Sequence, residues 1–245
     1  MTARIFIGTS GWHYRHWLGN FYPAELPPSR MLEVYLQRFD TVELNNSFYR
    51  LPTEDAFEAW RRSTPADFRF AVKGSRYITH MKKLGDPAEN VELFLGRAEK
   101  LRRKLGPILF QFPPRWRSNP ERLQSFVDVL PKKHRYTFEL RETSWMNGEV
   151  YGILRSRNLA FCIYEIEYYQ SPLEITADWT YIRLHGPGAK YQGLYGTKGL
   201  RPWARRIETW AKSLKEIYVY FDNDQAGYAP RDALTLKKML GLPTP

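Results

Sequence analysis

The sequence predicts an α/β fold, a single (β/α)8 TIM barrel with long strand-to-helix loops. Three observations predict it: eight short strand-like runs, helix patterns between most of them, and a length of 245 residues, which suits one such barrel. A doubly wound open sheet is the main competitor, but no G-x-G-x-x-G motif follows the first strand. We therefore expect one domain over residues 1–245.

The predicted strands are short, rich in β-branched and aromatic residues, and bounded by Pro, Gly, Asn or Asp. In chain order they are Ile5–Thr9, Thr41–Leu44, Phe68–Lys73, Ile108–Phe112, Tyr136–Leu140, Ala160–Tyr164, Thr180–His185 and Glu216–Asp222.

Apolar residues at helical spacing predict the helices that separate these strands. The helices are Ser29–Arg38, Thr53–Arg62, Ala88–Leu105, one that begins after an Asn119 cap with Pro120 first, Glu149–Ser156, Leu200–Leu214 and Arg231–Leu240. Ser29 and Thr53 are the other expected cap residues. The segment Glu167–Asp178 shows no clean helix.

The longest connections are those that follow strands, such as Ser10–Pro28 and Gly186–Gly199. Helix-to-strand connections are as short as Phe39-Asp40. Barrel enzymes build their sites on the strand-to-helix side, so we expect a site at the C-terminal ends of the strands.

The alternation of side chains along the strands supports this expectation. On one face of each strand the side chains are apolar, and on the other face they become polar toward the C-terminal end. The polar positions are Glu43, Asn45, Lys73, Gln111, Glu139, Arg141, Arg183, His185 and Asp222. Groups of this kind must pair with one another or meet a ligand when they are buried. An internal salt-bridge network, Glu43–Lys73 and Glu139–Arg183, is the structural alternative; the clustering at strand ends favours a site.

Several motifs carry a family resemblance. They are Ile7-Gly8-Thr9-Ser10-Gly11-Trp12, Phe21-Tyr22-Pro23, Val42-Glu43-Leu44-Asn45-Asn46-Ser47-Phe48-Tyr49, Thr79-His80, Leu109-Phe110-Gln111-Phe112-Pro113-Pro114, Glu139-Leu140-Arg141, Ser144-Trp145, Arg183-Leu184-His185-Gly186 and Tyr220-Phe221-Asp222-Asn223. Together they resemble the YecE-like family, a domain of unknown function, in order from about Arg4 to Leu240.

The resemblance implies a TIM barrel and no established reaction; some members have been suggested to resemble phosphodiester-cleaving barrel enzymes. The sequence departs from the family pattern at three positions. The family usually has His where this chain has Glu142, often has Asp where it has Glu165, and has Asn where it has Asp222.

The candidate catalytic residues are Glu43, Glu139 and His185. A carboxylate pair suits acid–base or glycosidase chemistry, in which one group is kept neutral by burial and the other is ionised. The candidate substrate-binding residues are Trp12, His13, Asn45, Tyr49, Lys73, His80, Gln111, Arg141, Trp145, Arg183 and Asn223. The cations among them, with the turn Gly186-Pro187-Gly188, suit a phosphate cradle.

A metal site built from histidines and carboxylates is a minor alternative, because no H-x-H or H-E-x-x-H spacing supports it. We therefore expect no cofactor. The single cysteine, Cys162, excludes an internal disulfide and a multi-cysteine zinc site.

The charge balance bears on partners rather than on fold. Lys and Arg number 37 against 26 acidic residues, a net charge of +11. A basic surface attracts polyanions, although a generally basic composition explains the balance equally well. No run of 18 apolar residues and no signal-peptide pattern occurs, which indicates a cytoplasmic protein without a membrane partner.

These observations predict an enzyme that acts on an anionic, phosphate-bearing substrate, a nucleotide or a nucleic acid, at the mouth of the barrel. One alternative is a carbohydrate-active hydrolase that uses the Glu43/Glu139 pair. The other is a non-enzymatic accessory protein that binds nucleic acid.

Overall fold

The computed structural model describes residues 3–243. Within that range the strands β1 to β9 are Arg4–Thr9, Thr41–Leu44, Arg69–Lys73, Leu105–Gln111, Tyr136–Glu139, Ala160–Ile166, Tyr169–Gln170, Trp179–Leu184 and Glu216–Phe221. The eight predicted strands are all present; Thr41–Leu44 has the predicted bounds, and the boundaries of the others differ from the prediction by at most three residues.

The helices α1 to α8 lie mainly between the strands. They are Met31–Leu36, Asn46–Tyr49, Glu54–Arg62, Pro87–Ala98, Pro120–Val129, Gly148–Ser156, Gly196–Trp210 and Tyr228–Met239. Short 3-10 helices occupy Arg15–Trp17, Pro28–Arg30, Glu99–Lys104 and Thr143–Trp145, and Tyr77–Met81 is a π-helix. No helix between residues 3 and 243 is both long and apolar enough to cross a membrane.

The strands follow the order β1-β9-β8-β6-β5-β4-β3-β2, and β7 pairs with β6. Pairs β1–β9, β8–β9, β3–β4, β4–β5 and β5–β6 are parallel, whereas β7 is antiparallel to β6. A parallel bridge between Ser10 and Glu43 joins the end of β1 to β2. Eight parallel strands in this order, with helices between them, form an α/β fold of the TIM-barrel type, which confirms the predicted fold class.

The described residues group into two compact units. The first comprises residues 3–43, 163–173 and 178–243, and the second comprises residues 44–162 and 174–177. The first unit holds β1, β8 and β9, and the second holds β3, β4 and β5. The single domain expected over residues 1–245 stays a prediction.

Aromatic packing confirms the predicted strand parity in the second unit. Phe110 of β4 packs edge-on against Phe126 of α5, and Phe126 in turn contacts Phe138 of β5. All three rings are fully buried. The apolar parity of these strands therefore faces the helices, which leaves Gln111 and Glu139 on the opposite face.

Two of the three predicted helix caps are confirmed. Thr53 accepts a hydrogen bond from the backbone N–H of Ala56, and Asn119 accepts one from Arg122. Ser29 is wrong as a cap, because it lies inside a 3-10 helix and α1 begins only at Met31 without a side-chain cap. The Pro27-Pro28 pair favours this irregular entry, since proline restricts the residue before it.

The helix predicted over Ala88–Leu105 is wrong in its last third. The regular helix α4 ends at Ala98, a 3-10 segment follows, and β4 already begins at Leu105. The break has a local cause: Arg102 has φ 53° and ψ −129°, which no helix accommodates.

Candidate functional site

An ion pair lies at the strand ends of the first unit. Arg183 of β8 donates from Nε to Oε2 of Glu43 at 3.0 Å and from a terminal nitrogen to Oε1 at 2.7 Å. Neither side chain has exposed surface. A bidentate guanidinium–carboxylate pair of this kind keeps both groups charged.

Two hydroxyl groups complete the coordination of Glu43. Ser10 donates to Oε1 and Tyr181 donates to Oε2, each at 2.6 Å. Burial, followed by the charge of Glu43, raises the pKa of Tyr181 well above its usual value, so this phenol remains a donor. With two donors on each oxygen, Glu43 has the hydrogen bonds that an ionised carboxylate needs.

His185 is oriented by Arg183 and Asp222. A terminal nitrogen of Arg183 lies 3.2 Å from Nε2 of His185, and Nδ1 of His185 lies 3.0 Å from Oδ2 of Asp222. Because arginine only donates, Nε2 accepts, and Nδ1–H donates to Asp222. These contacts favour the tautomer that carries its proton on Nδ1.

A second carboxylate, Asp224, was not among the residues predicted from the sequence. It accepts from Nε1 of Trp17 at 2.5 Å and lies 3.0 Å from Nε2 of His16. Its pKa is raised to about 6, mainly by burial; the charge of Asp222 adds to the rise, and the contacts with Trp17 and His16 oppose it. The sequence did contain a signal for Asp224. In Phe221-Asp222-Asn223-Asp224, the side-chain alternation of β9 places Asp224 on the same side as Asp222, just beyond the strand.

The loop after β8 is anchored by polar groups of the same unit. Asn223 donates from Nδ2 to the carbonyl of Gly193 at 2.9 Å and to Oδ2 of Asp232 at 2.8 Å. Asp232 also accepts from the backbone N–H groups of Tyr195 and Gly196, so its carboxylate covers the first turn of α7. Asn223 was predicted to bind substrate, and its amide nitrogen is committed to this loop.

The tip of that loop places an aromatic ring beside His185. The ring centres of Tyr191 and His185 are 5.5 Å apart at 65°. The loop returns sharply at Gly186, where φ is +114° and an added Cβ would lie 2.1 Å from the carbonyl oxygen of Gln192. Only glycine fits this position without displacing the loop.

In the second unit, Glu139 is the centre of a polar group at the ends of β4 and β5. Gln111 donates to its Oε1 at 3.1 Å, and Arg141 forms an ion pair with the same oxygen. Glu139 has no exposed surface, while the Arg141 side chain is 11% exposed. The three predicted residues Gln111, Glu139 and Arg141 are thus in direct contact.

A cationic group lies at the end of β3 in the same unit. Nζ of Lys73 lies 4.4 Å from the ring centre of Phe48, which packs edge-on against His80 at 5.0 Å. Burial lowers the pKa of His80 to about 4, with further lowering from Lys73 and Arg76 and an opposing effect of Glu139. His80 is therefore neutral at neutral pH and lies in a positive potential.

The remaining predicted residues differ in exposure. Tyr49 is 70% exposed beside the guanidinium of Arg76, and His13 is exposed in the first loop. Oδ1 of Asn45 is buried without a hydrogen-bond partner. Trp145 has no exposed surface and packs on Trp116 and Phe112, so its ring supports the loop rather than facing solvent.

The predicted site residues fall into two groups. The first unit contains Trp12, His13, Glu43, Arg183, His185 and Asn223, and the second contains Asn45, Tyr49, Lys73, His80, Gln111, Glu139, Arg141 and Trp145. Across residues 3–243, no three His, Cys, Asp and Glu side chains are placed to hold a metal ion.

Comparison with known proteins identifies the family. A family model described as "Protein of unknown function DUF72" matches residues 6–245. The chain belongs to the DUF72 family. This confirms the YecE-like resemblance, because YecE of Escherichia coli strain K12 is 31% identical over 140 residues, which cover 56% of this chain and 48% of YecE.

Two further relatives match over nearly the whole chain. UPF0759 protein YunF of Bacillus subtilis strain 168 is 23% identical over 274 residues, covering 97% of this chain and 95% of YunF. The crystal structure of a DUF72 family protein from Thermotoga maritima has 32% identity and a TM-score of 0.88, covering 97% of this chain and 99% of that chain. This DUF72 chain and its structural relative therefore share one fold.

Proposed function

We propose that this DUF72 protein is a hydrolase-type enzyme acting on an anionic, phosphate-bearing substrate such as a nucleotide or nucleic acid. A cytoplasmic location is part of the proposal. The observation that carries it is the cationic group at the end of β3, where Lys73 Nζ lies 4.4 Å from the Phe48 ring, Phe48 packs on His80 at 5.0 Å, and Lys73 and Arg76 add to the burial that lowers the pKa of His80 to about 4. Such a positive potential at strand ends favours a phosphate group.

Lys73 is the central cation of this proposal. Its side chain is only 8% exposed, and its backbone carbonyl is held by Ser47 at 2.6 Å. A buried ammonium group beside an aromatic ring is poorly screened by water, so its attraction for an anion is stronger than at an open surface. Neutral His80 adds a hydrogen-bonding ring nitrogen at the same place.

Glu139 is the proposed general base. Its bonds from Gln111 and Arg141 favour the ionised form and fix its orientation, which a base requires. In the first unit, Glu43 serves as the counter-ion that orients Arg183. Glu43 is thus a positioning residue.

The coordination of Glu43 weighs against the carbohydrate-hydrolase alternative. That mechanism needs a carboxyl group that either attacks the sugar or gives up a proton to it. Glu43 is fully buried and accepts from Ser10, Tyr181 and twice from Arg183. Because each of its oxygens already accepts from two protein donors, Glu43 is held as a structural counter-ion, which weighs against both steps.

The test compares Glu139→Gln with Glu99→Gln. Glu99 contacts Lys133 and His134, before the start of β5, and so provides a matched carboxyl in the same unit. The substrates are bis-p-nitrophenyl phosphate, p-nitrophenyl phosphate and p-nitrophenyl glycosides. We expect turnover of a phosphate ester, a loss in kcat of about 100-fold or more in Glu139→Gln with phosphate affinity retained, and no loss in Glu99→Gln.

Two results would contradict the enzyme proposal. Turnover of the glycosides alone would support the carbohydrate hydrolase. Binding of single-stranded oligonucleotides without turnover of any ester would support the non-enzymatic accessory protein.

A further inference from the structure

A basic groove lies at the opposite ends of β3 and β4 from Lys73 and Gln111. It has a volume of about 580 Å³. Its lining residues are Arg61, Arg62, Thr64, Ala66, Leu101, Arg102, Arg103 and Lys104. All of them belong to the second unit, and none is acidic. Because β4 has seven residues, the groove is about 20 Å from the strand-end cluster.

Lys104 has a structural role at this groove. Its Nζ donates to the carbonyls of Arg61 and Thr64 at 2.6 and 2.5 Å and to the hydroxyl of Thr64 at 3.0 Å. These bonds use all three ammonium protons and satisfy carbonyls at the end of α3. Burial lowers its pKa, with Arg103 and Arg61 adding to the effect and Asp67 opposing it.

Three arginines at the groove have no counter-ion. Within the part of the chain that the structure describes, Arg61, Arg102 and Arg103 form no ion pair, whereas Arg62 pairs with Glu58 at 3.1 Å. The Nε atom of Arg61 is buried and has no hydrogen-bond partner. Buried donors on charged groups nearly always find an acceptor, so this unsatisfied donor needs an explanation, and an anion bound in the groove would supply one.

The backbone at Arg102 also departs from ordinary geometry. Its φ of 53° with ψ of −129° lies in a region where only glycine is relaxed. Strained backbone positions of this kind cluster at ligand-binding and other functional sites.

We propose that this groove binds a pyrophosphate group. Planar guanidinium groups bind phosphate oxygens in pairs, which suits Arg61, Arg102 and Arg103. One phosphate ester carries a charge of about −1.5 to −2. Two linked phosphates match three unpaired guanidiniums better than one does. The volume suits a small ligand, either inorganic pyrophosphate or the diphosphate part of a nucleotide.

Calorimetric titration of the full chain with inorganic pyrophosphate tests the proposal. The protein used in this titration carries the substitution Lys73→Met, which disables the strand-end cluster, so that binding at the groove is measured alone. Arg103→Glu should weaken binding at least about tenfold, while Lys132→Glu, the same charge reversal on the exposed loop before β5, should leave it within twofold. Equal losses in the two variants, or no binding at low salt, would overturn the proposal.

Arg102→Gly separates a binding role from a structural one. Glycine relieves the backbone conformation, so the thermal midpoint should stay the same or rise while pyrophosphate affinity falls at least about tenfold. A lower midpoint with unchanged affinity would overturn the proposal. ADP titrated in parallel identifies the source: ADP binding that Arg103→Glu abolishes supports a nucleotide, and binding of pyrophosphate alone supports the inorganic ion.

A titration of the chain with Lys73 retained guards against misfolding of Lys73→Met. The His80 ring signals in its NMR spectrum report the strand-end cluster, and the Arg61 and Arg103 Nε–H signals report the groove. Shifts of the arginine signals support the pyrophosphate proposal whether or not the His80 signals shift. The pyrophosphate proposal and the proposed function are therefore tested separately. Arginine signals that do not move would overturn it.

Discussion

The buried pair Glu43–Arg183 dominates the first unit at the scale of single residues. Each charge lost its hydration on burial, and that cost is offset by their mutual attraction together with the donors Ser10 and Tyr181. Such a pair contributes little net stability when intact. Removal of Glu43, however, leaves the buried charge of Arg183 compensated less well, by the contact with Asp222 at 3.1 Å.

Glu43→Gln should therefore lower the free energy of unfolding, by up to about 3–5 kcal/mol, because the fully buried Arg183 loses its bidentate partner and retains the partly exposed Asp222 at 3.1 Å. Urea unfolding measures the change. Glu33→Gln, which removes one half of the exposed Arg30–Glu33 pair, is the control and should change stability far less. Similar losses in the two variants would contradict the described burial.

Asp224 should make folding stability depend on pH. Its pKa is raised from 3.8 to about 6, so as pH rises through this window the unfolded chain releases the proton before the folded chain does. Stability from this group is thus highest below about pH 4, falls as pH rises toward 6, and is then constant. The groups that face it are Trp17, His16 and Asp222.

The measurement compares the wild type with Asp224→Asn from pH 4 to 7. The unfolding free energy of the wild type, relative to that of Asp224→Asn, should fall as pH rises from 4 to 6. Asp128→Asn, at an exposed carboxyl, is the control and should show no such change. If the difference between the wild type and Asp224→Asn did not depend on pH, the raised pKa of Asp224 would be contradicted.

At the scale of elements, the loop from Gly186 to Tyr195 combines a sharp return with firm anchors. Asn223 and Asp232 hold its far end, and Tyr191 at its tip meets His185. The sequence predicted a long connection here, Gly186–Gly199, but not the groups that anchor it. Asp232 escaped prediction because it lies inside α8, where a single aspartate has no pattern that separates it from a solvent-facing residue.

Gly186→Ala should displace this loop, since the new Cβ would meet Gln192 at 2.1 Å in a backbone conformation that disfavours alanine. Hydrogen exchange of the Tyr195 and Gly196 amides should accelerate. Gly188→Ala is the matched control in the same loop, where the nearest atom to an added Cβ is 3.8 Å away. Equal exchange rates in the two variants would contradict the described return.

The strands were predictable from the sequence, whereas several short helices were not. Strand alternation depends on only a few residues, so Val42/Glu43 and Phe138/Glu139 already reveal which side faces the helices. The helix Asn46–Tyr49 and the π-helix Tyr77–Met81 are too short for a helical period to show. The ion-pair partner of Glu43 also could not be predicted from the sequence, because it depends on which strand ends lie next to each other in the fold.

At the scale of the whole molecule, the net charge of +11 predicts salt-dependent binding of nucleic acid. The affinity should fall with salt on a log–log slope of about 0.7–0.9 for each phosphate neutralised. Charge reversal of Arg115 and Arg117, both exposed after β4, should flatten the slope. Reversal of Lys132 and Lys133 is the control; equal flattening would indicate nonspecific attraction.

The central claim is that phosphate binds beside Lys73 in the second unit, and the pKa of His80 tests it most directly. NMR titration of the histidine rings is run in sodium phosphate and in sodium chloride of equal ionic strength. Bound phosphate offsets the charges of Lys73 and Arg76, so the pKa of His80 should rise from about 4 by about one unit or more. His134, which is paired with Glu99 ahead of β5, should not respond. A His80 pKa that is the same in both salts, or an equal rise at His134, would contradict the account.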